Sequence, residues 1–312
     1  MAGRESLELS LRRVAVAPSP TTGRAAVAVQ TECVDLLTPA SIQALLDRHG
    51  VRPGRALGQN FLADPNTARR IVRLAGIGPG VRVVEVGPGL GSLTLAIADA
   101  GAAEIVAVEL DRHLVPVLEE VLAGYAVRVE HGDALTVDWR ALLGTEPGWA
   151  MVSNLPYNIA TPLVIGVLET APMVERLFVM VQREVGERMA APAGADAYGA
   201  VSVKIAYYAK AAIAGFVPPT VFMPKPTVDS ALVRLVRRAQ PPVVVPDVDR
   251  LFALVRAGFA TRRKMLRRAL MTEFGARTIA VLEAAGVDPS ARAETLGLDE
   301  WAAIACNESA GS

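Results

Sequence analysis

The sequence predicts an α/β protein in which a mainly parallel sheet carries helices on both faces and a small all-helical region follows. Three observations lead there. From about Leu45 to Arg238, short apolar β-branched runs alternate with apolar residues at helical spacing. A glycine-rich turn, Gly87-Pro88-Gly89-Leu90-Gly91, joins one such strand pattern to a helical one. Beyond Gln240-Pro241-Pro242 the strand patterns stop and helical spacing continues.

In chain order, strands are expected at 81–86, 105–108, 127–130, 149–152, 177–181, 204–209 and 231–236, with a helix over 92–100. Later helices are expected around Leu251-Phe252, 279–282 and 301–304. Residues 1–30 mix Arg, Ser, Pro and Ala without sustained periodicity and predict a disordered arm or an over-extended start, and the extension is expected to span 1–40. The remaining chain divides into 41–239, the α/β domain, and 240–312, the helical domain. The Ala-, Pro- and Gly-rich stretch 190–197 predicts a mobile loop near the substrate side.

A glycine turn at a strand's end lets a ligand approach bare backbone. Glu109 closes the next strand pattern, where a carboxylate can accept hydrogen bonds from two ribose hydroxyls. The two features indicate a nucleoside-containing cofactor; tight helix–strand packing is the plainer explanation of the glycines. Gly87, Gly89 and Ser92 nearly meet the dinucleotide fingerprint, so a nicotinamide-dependent oxidoreductase is one alternative. The stretch is an E-x-G-x-G-x-G run from Glu85 to Gly91 with no basic residue in it or just after it. That suits a cofactor without phosphate, such as S-adenosylmethionine. Asp133, at the following strand end, is placed to accept from an adenine amino group or else to cap a helix.

The fourth strand pattern delivers Asn154-Leu155-Pro156-Tyr157. An exocyclic adenine amine is a poor nucleophile because its lone pair is delocalised into the ring. A site that methylates it must hold the amine in line with the methyl donor and favour a tetrahedral nitrogen. An asparagine oxygen and a backbone carbonyl can hold its two N–H groups, proline stiffens the loop, and the tyrosine ring can stack on the base. Catalysis of this kind comes from positioning.

The 52% apolar content supports a sizeable core, and Cys33 and Cys306 are too far apart in sequence to indicate a disulfide framework or metal cluster. A cytoplasmic protein with no signal peptide and no membrane span is expected. Formal net charge is zero, yet residues 231–270 hold ten basic residues against Asp247 and Asp249. Such a concentration is the footprint of a phosphate-binding face. If Thr261 opens a helix, Arg263 with Arg267 and Lys264 with Arg268 stack at i, i+4 while Leu266 and Leu270 point inward. An ordinary solvated helix face is the alternative.

The motifs together resemble one family. Gly58-Gln59-Asn60-Phe61-Leu62, the glycine turn, Gly132-Asp133-Ala134, Asn154-Leu155-Pro156-Tyr157-Asn158-Ile159-Ala160, Gln182-Arg183-Glu184-Val185, Tyr198-Gly199-Ala200-Val201-Ser202-Val203 and Pro224-Lys225-Pro226-Thr227-Val228-Asp229-Ser230 occur in order. The chain resembles the bacterial ribosomal RNA small-subunit adenine dimethyltransferases from about Pro53 to Ala303. The macrolide-resistance methyltransferases of large-subunit RNA share part of the pattern, and the Gln-Arg-Glu-Val and Tyr-Gly-Ala-Val-Ser-Val stretches favour the small-subunit branch.

The resemblance implies a Rossmann-like class I methyltransferase with a seven-stranded sheet whose last strand is antiparallel, acting with S-adenosylmethionine on two neighbouring adenosines during ribosome biogenesis. The expected partner is small-subunit RNA in a pre-ribosomal particle, met by a monomer. It also implies that Asn60 and Leu62 cover the cofactor, that Gly87 and Gly89 line its methionine part, that Glu109 takes the ribose, and that Asp133 with Ala134 takes the adenine. Asn154 touches cofactor and target amine. Phe222, which the residues alone would place in the core, becomes a second ring sandwiching the target adenine against Tyr157. Arg262, Arg263, Lys264, Arg267 and Arg268 are the candidate RNA contacts. Beside this stands the alternative of an RNA-binding assembly or transcription factor on the same fold.

Overall fold

A computed structural model describes residues 36–54, 58–261 and 263–308. In order they form α1 (Pro39–His49), β1 (Phe61–Leu62), α2 (Pro65–Ala75), β2 (Arg82–Val86), α3 (Ser92–Asp99), β3 (Glu104–Glu109), α4 (Val115–Val121), β4 (Val127–His131), α5 (Trp139–Leu143) and β5 (Trp149–Asn154). Then follow α6 (Ala160–Thr170), β6 (Val174–Gln182), α7 (Arg183–Ala190), α8 (Ala200–Tyr208), β7 (Ala209–Val217), β8 (Phe222–Met223) and β9 (Ser230–Arg237). The rest is helical: α9 (Val248–Ala260), α10 (Leu266–Ala269), α11 (Met271–Phe274), α12 (Thr278–Ala284) and α13 (Leu298–Cys306).

Seven strands make one sheet in the order β4-β3-β2-β5-β6-β9-β7. Strand β9 runs antiparallel to both neighbours, and the β4–β3–β2–β5–β6 ladders are parallel. Strand alternation sorts the core. Val83, Ile105, Val152 and Phe178 face one side with α1 to α4, whereas Val84, Val106, Met151 and Val179 face the other with α5 and α6. All eight are buried, as expected of parallel strands covered on both faces.

Two sequence expectations require correction here. Residues 204–209, expected to be a strand, lie almost wholly in α8, and the sheet's sixth strand in chain order is β7, which follows it. The helix is apolar on two sides: Ile205 packs with the sheet-side core, while Val203 and Tyr207 join Leu251, Phe252 and Trp301 in the C-terminal cluster. A helix buried on two sides loses its single apolar stripe, so 203, 205, 207 and 209 imitate strand alternation. Of the extension expected over 1–40, residues 1–35 lie outside the described residues. Leu36 and Leu37 are buried, and Thr38 with Ser41 forms a capping box that starts α1.

The expected mobile loop at 190–197 is tied to the C-terminal region, its Gly194 N–H donating to the Glu294 carbonyl at 2.8 Å.

Candidate active site

The cleft opens at the carboxyl ends of β2, β3, β4 and β5, and its form begins with three glycines. Gly87, Gly89 and Gly91 all have positive φ, which side-chain-bearing residues rarely adopt. At Gly89 a Cβ would also lie 2.9 Å from the Phe61 ring, so the turn admits only hydrogen there. Glu109 braces this turn: its Oε2 accepts from Gly89 N–H at 3.1 Å and its Oε1 from Asp111 N–H at 2.8 Å. Burial raises the Glu109 pKa above the usual carboxylate range, opposed by those N–H groups.

The cleft has about 970 Å³ of empty volume, part of it open to solvent. Of the predicted cofactor residues Asn60, Leu62, Gly87, Gly89, Glu109, Asp133, Ala134 and Asn154, every one lines it. So do Leu155, Pro156 and Tyr157. Asp133 does not cap α5, a role taken by Asp138; its Oδ1 accepts from Leu135 N–H at 2.9 Å.

Asn154 ends β5, and its Nδ2 donates to the Asn60 carbonyl at 3.0 Å. A carbonyl accepts only from the nitrogen end, so this bond orients the amide and leaves Oδ1 as the acceptor. Leu155 is buried and donates its N–H to the Met180 carbonyl, which anchors the loop to β6. The Tyr157 hydroxyl lies 3.1 Å from Ser230 Oγ, and burial raises its pKa.

Phe222 behaves differently. It pairs with Leu62 across the short β1–β8 ladder, is 5% exposed, belongs to the core packed on α1 to α4, and does not line the cleft.

Sequence reasoning assigned no role to three residues that matter here. Glu85, 1% exposed at the cleft floor, accepts from Thr94 Oγ1 at 2.7 Å, and burial pushes its pKa up to about 8. Ser92 Oγ is buried in the cleft lining without a hydrogen-bond partner among the described residues. Gln59 bridges Gly54 N–H and the Asp111 carboxylate, holding the segment before β1 over the cleft. Glu85 stands in the E-x-G-x-G-x-G run and Ser92 in the near-dinucleotide fingerprint, so both are visible as motif positions; Gln59 carries no sequence signal of its tertiary partners.

The electrostatics discriminate among cofactors. Four carboxyl side chains line the cleft, Glu85, Glu109, Asp111 and Asp133, and among the described lining residues there is no Lys, Arg or His. Glu85 holds its proton near neutral pH and adds no charge there; a lining with three further carboxyl groups and no described cation disfavours a pyrophosphate and suits a cationic, phosphate-free nucleoside. The unpartnered Ser92 hydroxyl adds a polar group available to it. The residues present therefore fit S-adenosylmethionine.

A model of the family described as ribosomal RNA adenine dimethylase matches residues 52–307. The chain belongs to the ribosomal RNA adenine dimethylase family. Within that family it is similar to ribosomal RNA small subunit methyltransferase A of Thermobifida fusca, at 49% identity over 86% of this chain and 95% of the relative. The protein of the same name from Streptomyces avermitilis is 48% identical over 88% of this chain and 95% of its own. Among solved structures, the 23S rRNA methyltransferase ErmE superposes with a TM-score of 0.62 at 28% identity, covering 80% of this chain and all of that one. A dimethyladenosine transferase from Plasmodium falciparum superposes at 0.66 with 22% identity, over 78% of this chain and 95% of that one, a likeness of fold.

The predicted RNA-contact residues are arranged otherwise than expected. Arg262 lies outside the described residues. Thr261 closes α9 instead of opening a helix, Arg263 and Lys264 sit in a turn, and α10 is a single turn bearing Arg267 and Arg268. The i, i+4 stacking is therefore absent, although Leu266 and Leu270 are fully buried as expected. Three consecutive basic residues offer no apolar anchor to continue a helix, and Met265 is held instead in a bridge to Arg292. Nor is the basic run one surface. Arg237 donates to four backbone carbonyls around the end of α6, Arg238 to Ala206, and Arg250 pairs with Glu273 and Glu308.

No helix of the described residues is long and apolar enough to cross a membrane.

Proposed function

We propose that this protein transfers methyl groups from S-adenosylmethionine to N6 of two adjacent adenosines in small-subunit ribosomal RNA, two methyls to each, within a pre-ribosomal particle. The observation that carries the reading is the oriented Asn154 amide at the rim of a cleft lined by carboxyl groups and no described cation. The cofactor supplies an activated methyl on a sulfonium. The chain's own residues bind and align. Glu109 accepts from the ribose hydroxyls, Asp133 and the Ala134 backbone meet the adenine of the cofactor, and Asn60 with Leu62 covers it.

Asn154 Oδ1 accepts one N–H of the target amine and a loop carbonyl accepts the other, which localises the lone pair toward the methyl. Tyr157 stacks on the extruded base. Phe222, the cross-strand partner of the cleft-lining Leu62, supplies the second ring. A monomethylated amine still offers one N–H to Asn154; a dimethylated amine offers none and leaves. In this division 41–239 performs the transfer and 240–312 grips RNA through Arg263, Lys264, Arg267 and Arg268. The protein works as a cytoplasmic monomer.

Mass spectrometry of small-subunit RNA from cells lacking the protein should show adjacent dimethyladenosines lost, and restored when the protein but not Asn154→Ala is returned. Unchanged dimethylation in its absence would overturn the reading.

A further inference from the structure

The outer face of the sheet beside α2 carries charge that the C-terminal basic cluster does not explain. Strands β6, β9 and β7 present two aligned rows on this side: Arg176, Val236 and Lys210 in one, Phe178, Arg234 and Ala212 in the next. Val236 is 47% exposed, and Arg234 and Lys210 are also exposed. This part of the sheet therefore has no full helical cover, unlike the buried face under α6. Helix α2 flanks it, because Arg234 donates to the Leu74 carbonyl, Arg176 to Gly76 and Arg70 to Phe216. Arg73, exposed on the same helix, extends the row.

The sign of the charge is uniform. Helix α2 and strands β7 and β9 contain no Asp or Glu, and β6 contains one, Glu175, where its pairing with β5 shifts register. Arg183 at the end of β6 covers Phe216 and pairs with Glu187, so it is engaged already. The capping arginines each commit one donor in the bonds above and retain further guanidinium N–H groups. From Ser230, which contacts Tyr157 at the cleft, β9 runs down this face for about 20 Å to Val236.

The geometry points to this face as a second RNA-backbone contact surface, in which Arg73, Arg176, Lys210 and Arg234 engage phosphates of the strand that continues from the target adenosines. The inference rests on the proposed RNA substrate. Its occupant is chosen by charge: an open sheet with four exposed or half-exposed cations and uncommitted donors complements a polyanion. It is separate from the 263–268 cluster, which belongs to the C-terminal helices.

The test compares wild type, Arg73→Glu/Lys210→Glu and Arg73→Lys/Lys210→Arg, two positions outside the cleft. Binding to purified small-subunit particles is followed across salt, with methyl-transfer KM and kcat, cofactor calorimetry and sedimentation in parallel. The charge-reversed protein should bind at least about tenfold more weakly, with a salt slope shallower by roughly 1.4–1.8 for two phosphates no longer neutralised. Its KM for particles should rise while kcat and cofactor affinity hold, and the charge-conserving variant should match wild type. An unchanged slope and KM would overturn the surface. A change in sedimenting mass would assign the face to a second copy and overturn it too. Wild type failing to methylate particles would instead defeat the proposed function itself.

Discussion

The side-chain Nδ2 of Asn154 donates to the backbone carbonyl of Asn60 at 3.0 Å, joining the end of β5 to a segment 94 residues earlier. The bond presets the amide before substrate arrives, so orientation is not lost to rotamer freedom at the moment of transfer.

Asn154→Ala should therefore lower single-turnover methyl transfer on saturating RNA by on the order of 10²-fold, since the amine loses its aligning acceptor. Tyr157→Ala should act on base capture instead, costing about 1–3 kcal/mol in productive binding while residual turnover survives at saturation. Cofactor affinity measured alongside separates either effect from loss of donor. A wild-type transfer rate in Asn154→Ala would remove the amide from the reaction.

Glu109 supports the glycine turn and faces the cleft with the same carboxylate. Replacing it by Ala should weaken cofactor binding by roughly 1.5–3 kcal/mol, the worth of hydrogen bonds to a charged acceptor. Calorimetry checks this. Glu109→Gln should recover part of the loss, because the amide oxygen can still accept from Gly89.

Glu85 predicts a pH dependence of folding. Its pKa is raised from 4.5 to about 8, chiefly by burial. Between these values the folded chain keeps a proton that the unfolded chain releases, so this group's contribution to stability declines as pH rises and levels off above the folded pKa. Glu85→Gln should abolish that decline while keeping an acceptor for Thr94. Urea midpoints across acidic, neutral and alkaline pH should fall more steeply in wild type than in the variant; parallel curves would show that Glu85 is ionised throughout.

Lys264→Ala and Arg267→Ala should weaken RNA binding and flatten its salt dependence, by about 0.7–0.9 in slope for each phosphate that the variant no longer neutralises. Cofactor binding should be unaffected. Hydrogen bonds from Ser290 chiefly lower the Asp288 pKa and the nearby Arg267 adds to this, so a thermal scan accompanies the measurement. An unchanged slope would make the turn and α10 an ordinary solvated surface.

The sequence by itself determined the sheet's parallel strands through β6, the glycine turn, the carboxylates at the strand ends and the Asn-Leu-Pro-Tyr loop. Each is a local signal: buried strands write unbroken β-branched runs, and a backbone at positive φ writes glycine. Tertiary structure decided what such signals cannot encode. Helix α8 lies between two cores, so its apolar positions carry no single period, and they imitate a strand. The run 263–268 became a turn and one helical turn because Leu266 and Met265 found partners in the 289–292 segment. Ser230 meets Tyr157 and Gln59 meets Asp111 only through chain folding, and the raised pKa of Glu85 comes from desolvation by surroundings that its neighbours in sequence supply only in part. Local sequence specifies backbone preference and polarity; which groups share a low-dielectric cavity depends on residues far along the chain, packed around it.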